Sequence, residues 1–240
     1  MRVKSNSAEV FLSTSPMFTS RLLWPDASGS LSPDDLAFIE GIGKVRHYKK
    51  GSMTLRMGSS LKEFFLVRKG VARITLLGRN GVEKPVLYIG PGCFYGEEGI
   101  FHSQPVIYNA VAIKDMEVLV IERQSSWDVI SRPTLALVLI KSISLKSRIL
   151  AHQVEDFAFR NTVEKVCRLL YCLLTDPESN FYNNKMKLTH KELADMAGVH
   201  RVTITNTISH LRGDGIIRIL SSGEIVVKDR DRLRILGFSE

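Results

Sequence analysis

The stretch from Thr189 to Arg212, THKELADMAGVHRVTITNTISHLR, limits what this chain can fold into more than any other. Thr189 is followed three residues later by Glu192. That spacing is a capping box, in which hydroxyl and carboxylate satisfy the free N–H groups of a helix start, so a helix begins near His190. Leu193, Ala194 and Ala197 give it an inward face, and Gly198 stands where the chain must turn sharply into positive φ. Ile204, Ile208 and Leu211 then recur at spacings of four and three. This predicts a second amphipathic helix that leaves Arg201, Val202, Thr205, Asn206 and Ser209 pointing outward. A small residue at Ala194, a turn at Gly198 and a buried branched residue at Ile204 suit two helices crossing at close range, a helix-turn-helix. An ordinary helical hairpin is the alternative. Against it, Ile216–Leu220 and Glu224–Val227, broken by Ser221-Ser222-Gly223, read as a short β-hairpin that completes a winged helix.

The outer face of the second helix is small, polar and sparsely charged, which suits entry into the major groove of DNA. Net charge adds little to that reading. The whole chain carries +8, but residues 161–240 hold 12 Lys/Arg against 10 Asp/Glu, a net of +2. Charge therefore supports polyanion binding only weakly.

The 240 residues leave room for two domains, and an apolar content of 44% fits folded globular structure. Cys93, Cys167 and Cys172 are an odd number without metal-ligand spacing. This fits a reducing compartment and predicts a cytoplasmic protein without a disulfide framework. No run approaches the roughly 18 uninterrupted apolar residues of a membrane span, and MRVKSNSAEVF lacks the apolar core of a secretory signal. No membrane partner is expected.

Taken in order, residues 1–31 read as a partly ordered arm. Ser32-Pro33-Asp34-Asp35 offers an N-cap, a proline for the first helical position and acids for the helix dipole, opening a helix to about Ile42. From Val45 to Glu122, glycines separate short β-branched or aromatic runs: Phe64–Arg68, Val71–Leu77, Val82–Ile89 and Met116–Ile121, with Asn80-Gly81 as a tight turn. Residues 32–132 therefore predict an antiparallel roll, either a sensor or a scaffold holding subunits together. Residues 133–160 form a long helix and hinge. Ala136, Leu139, Ile143, Leu150 and Phe157 fall on one heptad seam with Lys146 and Gln153 in its remaining places, suggesting a helix pair that joins two subunits. Packing against the chain's own roll is the alternative. A helix capped by Thr162 runs to about Thr175 with Val166, Leu169, Leu170, Leu173 and Leu174 inward. It opens the DNA-binding domain, residues 161–240, in which Asp176–Lys185 is a loop.

This order of parts resembles the superfamily of the cyclic-AMP receptor protein and the fumarate–nitrate reduction regulator. The resemblance is carried by FFLVRKG at Phe64–Gly70, GCFYGEEGIF at Gly92–Phe101 and the helix-turn-helix. It implies an α+β fold: a cyclic-nucleotide-binding-like β-roll, a long dimerisation helix and a C-terminal winged helix. It also implies a homodimeric bacterial transcription regulator that partners DNA, RNA polymerase and a small-molecule effector held between roll and long helix. Cyclic-nucleotide members cradle phosphate with backbone N–H groups after a Gly-Glu pair and with an Arg-Ser pair downstream. Here Gly96-Glu97 is kept, but Ile107 and Tyr108 stand at the Arg-Ser positions, and Leu150 and Ala151 at the purine-contacting positions offer no donor. Losing one charge-assisted contact of about 1.5–3 kcal/mol weakens binding at least tenfold, which argues against cyclic AMP.

The expected effector site is Phe94, Tyr95, Gly96, Glu97, Ile107, Tyr108, Asn109 and Leu150, a lining suited to a small aromatic molecule. Ile107-Tyr108, AHQVEDF at Ala151–Phe157 and GVHRVTI at Gly198–Ile204 resemble the branch that responds to halogenated phenolic compounds. The oxygen-sensing branch uses cysteines near the N-terminus, absent here before Cys93, so an iron–sulfur cluster is not expected. No other cofactor is expected. By motif position, Arg201, Val202 and Asn206 match side chains with which relatives touch base edges. Val can offer only apolar contact to a thymine methyl and Asn pairs with adenine, so an A/T-rich inverted repeat is predicted. Lys187, His190, Lys191 and Thr203 are expected at phosphate, and His200 and Thr205 complete the DNA-facing set.

Three rival readings follow. An enzyme would have to use Glu97-Glu98 with Tyr95, Cys93 and His102, and no Gly-x-Ser-x-Gly, Walker loop or paired metal ligands accompany them. A redox regulator would use Cys93, or Cys167 with Cys172. A constitutive DNA binder would need no effector.

Overall fold

The computed structural model describes residues 31–79, 81–175 and 189–238. Lys187, Asn80, most of the N-terminal arm and the Asp176–Lys185 loop lie outside the described residues. Two compact units meet in sequence between His152 and Gln153, inside the long helix.

In the first unit, α1 (Pro33–Ile42) starts as the sequence predicts, with Ser32 Oγ accepting from the Asp35 amide at 3.1 Å. Eight strands follow: β1 (Lys44–Tyr48), β2 (Met53–Leu55), β3 (Glu63–Lys69), β4 (Ala72–Leu77), β5 (Glu83–Ile89), β6 (Phe94–Tyr95), β7 (Asn109–Ala112) and β8 (Met116–Glu122). They make two antiparallel four-stranded sheets, ordered β1-β8-β3-β6 and β2-β7-β4-β5. Strand β3 is apolar on both faces because each face meets different rings. Phe64 packs near Phe94, ring centroids 5.8 Å apart, while Phe65 stacks on Tyr95 at 4.9 Å. The short helix α2 (Glu97–Phe101) interrupts the strands between β6 and β7. Helix α3 (Ser126–Ile130) then leads into α4 (Pro133–Phe159), the predicted 27-residue helix.

The side chain of Asp35 ties α1 to the start of α4. It accepts hydrogen bonds from Thr134 Oγ1 at 2.7 Å and Ser32 Oγ at 2.8 Å, and pairs with Arg132 Nε at 3.1 Å.

The second unit adds α5 (Thr162–Thr175), α6 (His190–Ala197), α7 (Arg201–Gly213), the wing strands β9 (Ile217–Ile219) and β10 (Ile225–Val227), and α8 (Arg230–Phe238). The Thr189–Glu192 capping box is complete, and Gly198 adopts φ 66 where the chain turns. Ile204, Ile208 and Leu211 are buried against Leu193, Ala194 and Met196 in one core. Three features differ from expectation. Asn161, not Thr162, caps α5: its Oδ1 accepts from the amides of Val163 and Glu164 at 2.9 and 3.0 Å, and Glu164 reaches back to the Asn161 amide at 3.0 Å. Arg168 is buried on α5, and Leu174 is only half-buried. Helix α8, missed by sequence reasoning, packs on α5 with Leu233 and Gly237 inward.

The Thr134 hydrogen bond, with those from Ser32 and the nearby Arg132 charge, holds the Asp35 carboxyl below its usual range. Its stabilisation is therefore present above the ordinary value of about 3.9 and is lost as pH falls through the depressed folded value. Thermal midpoints of wild type and Asp35→Asn should differ at neutral pH and converge in acid.

Candidate effector and DNA sites

The effector side is built where α2 meets α4. Gly96 takes φ 82, a conformation side chains avoid, and starts a helix whose first two residues are carboxylates. Glu97 is 3% exposed. Its Oε1 receives Lys146 Nζ of α4 at 2.5 Å, and the same ammonium donates to the Phe94 carbonyl at 2.8 Å. An ammonium and a carboxylate removed from water persist only when paired in this way. Lys146 thus faces the roll, so the expectation that it shares the dimer seam is corrected.

Tyr108 occupies the neighbouring position. It is half-buried against the roll's core, and its hydroxyl lies near the Glu98 side chain and the Gly96 backbone. Burial raises the Tyr108 hydroxyl well above its ordinary value, with the Glu98 charge adding to the effect. Burial also raises Glu98, reinforced by the adjacent Glu97 charge.

Other expected residues divide by the alternation of the chain. Phe94 and Tyr95 are fully buried, and Asn109, also buried, accepts from the Met57 amide at 2.9 Å. Val106 and Tyr108 turn inward, so Ile107 between them points out and is 71% exposed. In this structure Ile107 does not join the others. Leu150 is likewise exposed, one helical turn beyond Lys146.

That outer face has its own order. Ala136, Ile140, Ile143, Ser147, Leu150, Val154 and Phe157 repeat at alternating steps of four and three. Ile140, Ile143, Leu150, Val154 and Phe157 are all large exposed hydrophobics. Leu139, buried, and Lys146 lie on the flank of this stripe that meets the roll. The outward heptad therefore keeps Ala136, Ile143, Leu150 and Phe157 of the expected one and has Ile140, Ser147 and Val154 in place of Leu139, Lys146 and Gln153.

On the DNA side, α7 exposes Arg201, Val202, Thr205, Asn206 and Ser209, with Val202 68% exposed. Thr205 is engaged within the motif: its Oγ1 donates to the Arg201 carbonyl at 3.1 Å and meets His190 Nδ1 at 3.0 Å. His190 thereby braces α6 against α7. Lys191 and His200 are exposed and Thr203 is half-buried.

All three cysteines are buried as free thiols, and burial pushes Cys167 up to about 11. A thiol so protected and protonated at neutral pH is a poor nucleophile, which weakens the redox reading. Among the described residues no cluster of His, Cys, Asp or Glu could hold a metal ion, and no helix is long and apolar enough to cross a membrane.

Comparison with known proteins places both halves. Residues 45–132 match the cyclic nucleotide-binding domain and residues 164–236 the Crp-like helix-turn-helix domain. The chain combines the two domains of CRP/FNR-type regulators. It is 24% identical over 209 residues to the cyclic AMP receptor protein of Thermus thermophilus, covering 87% of this chain and 94% of that one. Its fold is shared with OCPA-complexed CprK at 20% identity and TM-score 0.67, over 84% of this chain and 92% of that one. A CooA mutant from Carboxydothermus hydrogenoformans matches at 16% identity and TM-score 0.75, over 92% and 99%. As in this family generally, DNA binding resides in the helix-turn-helix and effector binding in the cyclic nucleotide-binding domain.

Two measurements probe how this CRP/FNR roll holds its buried charges. Lys146→Met strands Glu97 without a counter-charge and should cost about 3–5 kcal/mol in denaturant unfolding, whereas Lys146→Met with Glu97→Met should recover most of it. Glu98→Gln should have the opposite sign of pH dependence to Asp35→Asn. Because the folded value of Glu98 is raised, wild type loses stability as pH climbs from the ordinary carboxylate value of about 4.3 to the folded one. The variant should be spared that loss, read as a thermal midpoint against pH.

Proposed function

We propose that the protein is a cytoplasmic homodimer that regulates transcription from an A/T-rich inverted repeat, recruits RNA polymerase as an activator, and is set by a small aromatic effector lacking phosphate. The observation that carries this reading is the pairing of two surfaces: a reading helix with a small polar face, and an exposed apolar heptad on α4. A second copy of α4 would cover the Ile140–Phe157 stripe as a parallel helix pair. Such a dimer presents two α7 helices to successive major grooves, about 34 Å apart.

Arg201 is the residue for guanine or phosphate, Val202 for a thymine methyl and Asn206 for adenine. Lys187, Lys191, His200 and Thr203 position the domain on phosphates, and His190 does so through Nε2 while Nδ1 holds Thr205. Against cyclic AMP stand the missing Arg-Ser pair and the Tyr108 hydroxyl at the Gly96 backbone. An aromatic ligand would sit among Phe94, Glu97, Tyr108, Asn109 and, across the dimer seam, Leu150. A halogenated phenol would be oriented by Tyr108 or Glu97. That the fold is shared with CprK in complex with OCPA supports testing this class first.

The test is a mobility shift at fixed salt on A/T-rich inverted repeats, titrated with halogenated phenols and, separately, cyclic AMP. Binding should strengthen with a phenol and ignore the nucleotide. Asn206→Ala should lose about 1–3 kcal/mol on the preferred site and relax its adenine preference. Selection of G/C-rich half-sites from random oligonucleotides would overturn the base-reading assignment, and a nucleotide response would overturn the effector class.

A further inference from the structure

Helix α4 ends at Phe159 and α5 begins at Thr162, yet the break between them is bridged by charge. Arg168 on α5 is 1% exposed, the largest fully buried side chain among the described residues. Its Nη1 meets Asp156 Oδ1 at 2.9 Å and Glu155 Oε1 at 3.4 Å, both on the last turns of α4. Arg160, in the break itself, pairs with the same two acids: Nη2 to Glu155 at 3.1 Å and Nε to Asp156 at 3.2 Å. Two cations and two anions meet at this break. Lys165 Nζ adds a contact 5.0 Å above the Phe157 ring.

The other side of the Arg168 guanidinium is closed by α8. Its carbon lies 4.8 Å from the Phe238 ring centroid. Gly237 approaches the Arg168 backbone so closely that a Cβ there would lie 2.7 Å from its amide nitrogen, and Arg160 Nη1 donates to the Gly237 carbonyl at 3.3 Å. Three helices therefore converge on one buried charge.

An apolar side chain of similar volume would fill this space as well, and replacing buried ion pairs by such residues is often neutral for stability. What a planar guanidinium adds is direction. Its Nη1 is paired when residues 155 and 156 face it, which selects one rotation of the end of α4. Consistent with this, the second compact unit begins at Gln153, taking those turns with it.

We propose that Arg168 is a positioning residue: by clasping Glu155 and Asp156 it fixes the reading domain's rotation about the end of α4, and so sets the half-site spacing the dimer accepts. This rests on the dimeric DNA-binding reading above.

The full-length chain is titrated against single half-site duplexes and against inverted repeats whose spacer varies by one or two base pairs. Wild type should favour one spacer. Arg168→Met should keep half-site affinity but lose the spacer preference, with full-site affinity falling about a hundredfold as bivalency is lost. Glu155→Gln with Asp156→Asn, on the other side of the contact, should reproduce that split even if the Arg168 variant folds poorly. Either of two results overturns the inference: both variants retaining the wild-type spacer preference, or the double variant losing half-site and full-site binding in parallel. Wild type binding an inverted repeat no better than a half-site would take the dimeric reading with it, which distinguishes the two failures.

Discussion

An ion pair almost closed to water, Lys146 Nζ with Glu97 Oε1, settles which side of the long helix meets the roll. Helix α4 carries large apolar side chains on its exposed side as well as on its buried one, so hydrophobic burial alone leaves its rotation loosely determined. A lysine that must reach a buried carboxylate and the Phe94 carbonyl at once removes that freedom. Once Lys146 points in, Leu139, Ser142 and Ile149 follow it, and Ile140, Ile143, Leu150 and Val154 are left outside. The effector-side geometry and the candidate dimer face are two results of one electrostatic choice.

The same helix is held ionically at its far end, where Glu155 and Asp156 meet Arg160 and Arg168. Between these anchors its outer side presents Leu150 and Val154. Directional bonds thus stand where the helix meets a folded unit, and non-directional apolar surface where it is exposed. This arrangement suits an element that must keep its orientation toward each unit while associating with another helix, because apolar stripes tolerate small sliding and salt bridges in low dielectric do not.

Much of the fold was readable from local rules. Capping boxes, Pro133, Gly198 and the alternation of β-branched runs act within a few residues, so the starts of α1, α4 and α6 and the wing hairpin could be placed. What escaped depended on contacts distant in sequence. Lys146 resembled a flaw in a heptad because its partner is 49 residues away. Arg168 drew no expectation at all, because the acids that hold it lie on another element. Helix α8 had too weak a pattern in RDRLRILGF, and only the buried Leu233 and Gly237 reveal its packed face. Asn161 was passed over beside Thr162, although Glu164 three residues on completes its capping box. In the candidate effector site, the resemblance led to Glu97 and Tyr108, which are inside. It also led to Ile107, which strand alternation turns to solvent.

Tyr108, half-buried beside Glu98 and the Gly96 turn, is a bulky phenol at the position where the cyclic-nucleotide pattern has a serine. Grafting a nucleotide response onto the chain would accordingly be a problem of eviction before one of attraction. An arginine placed at position 107 would project outward, and a serine at 108 would make room while leaving Glu98, which among the described residues has no cation paired with it as Glu97 does, beside the incoming anion.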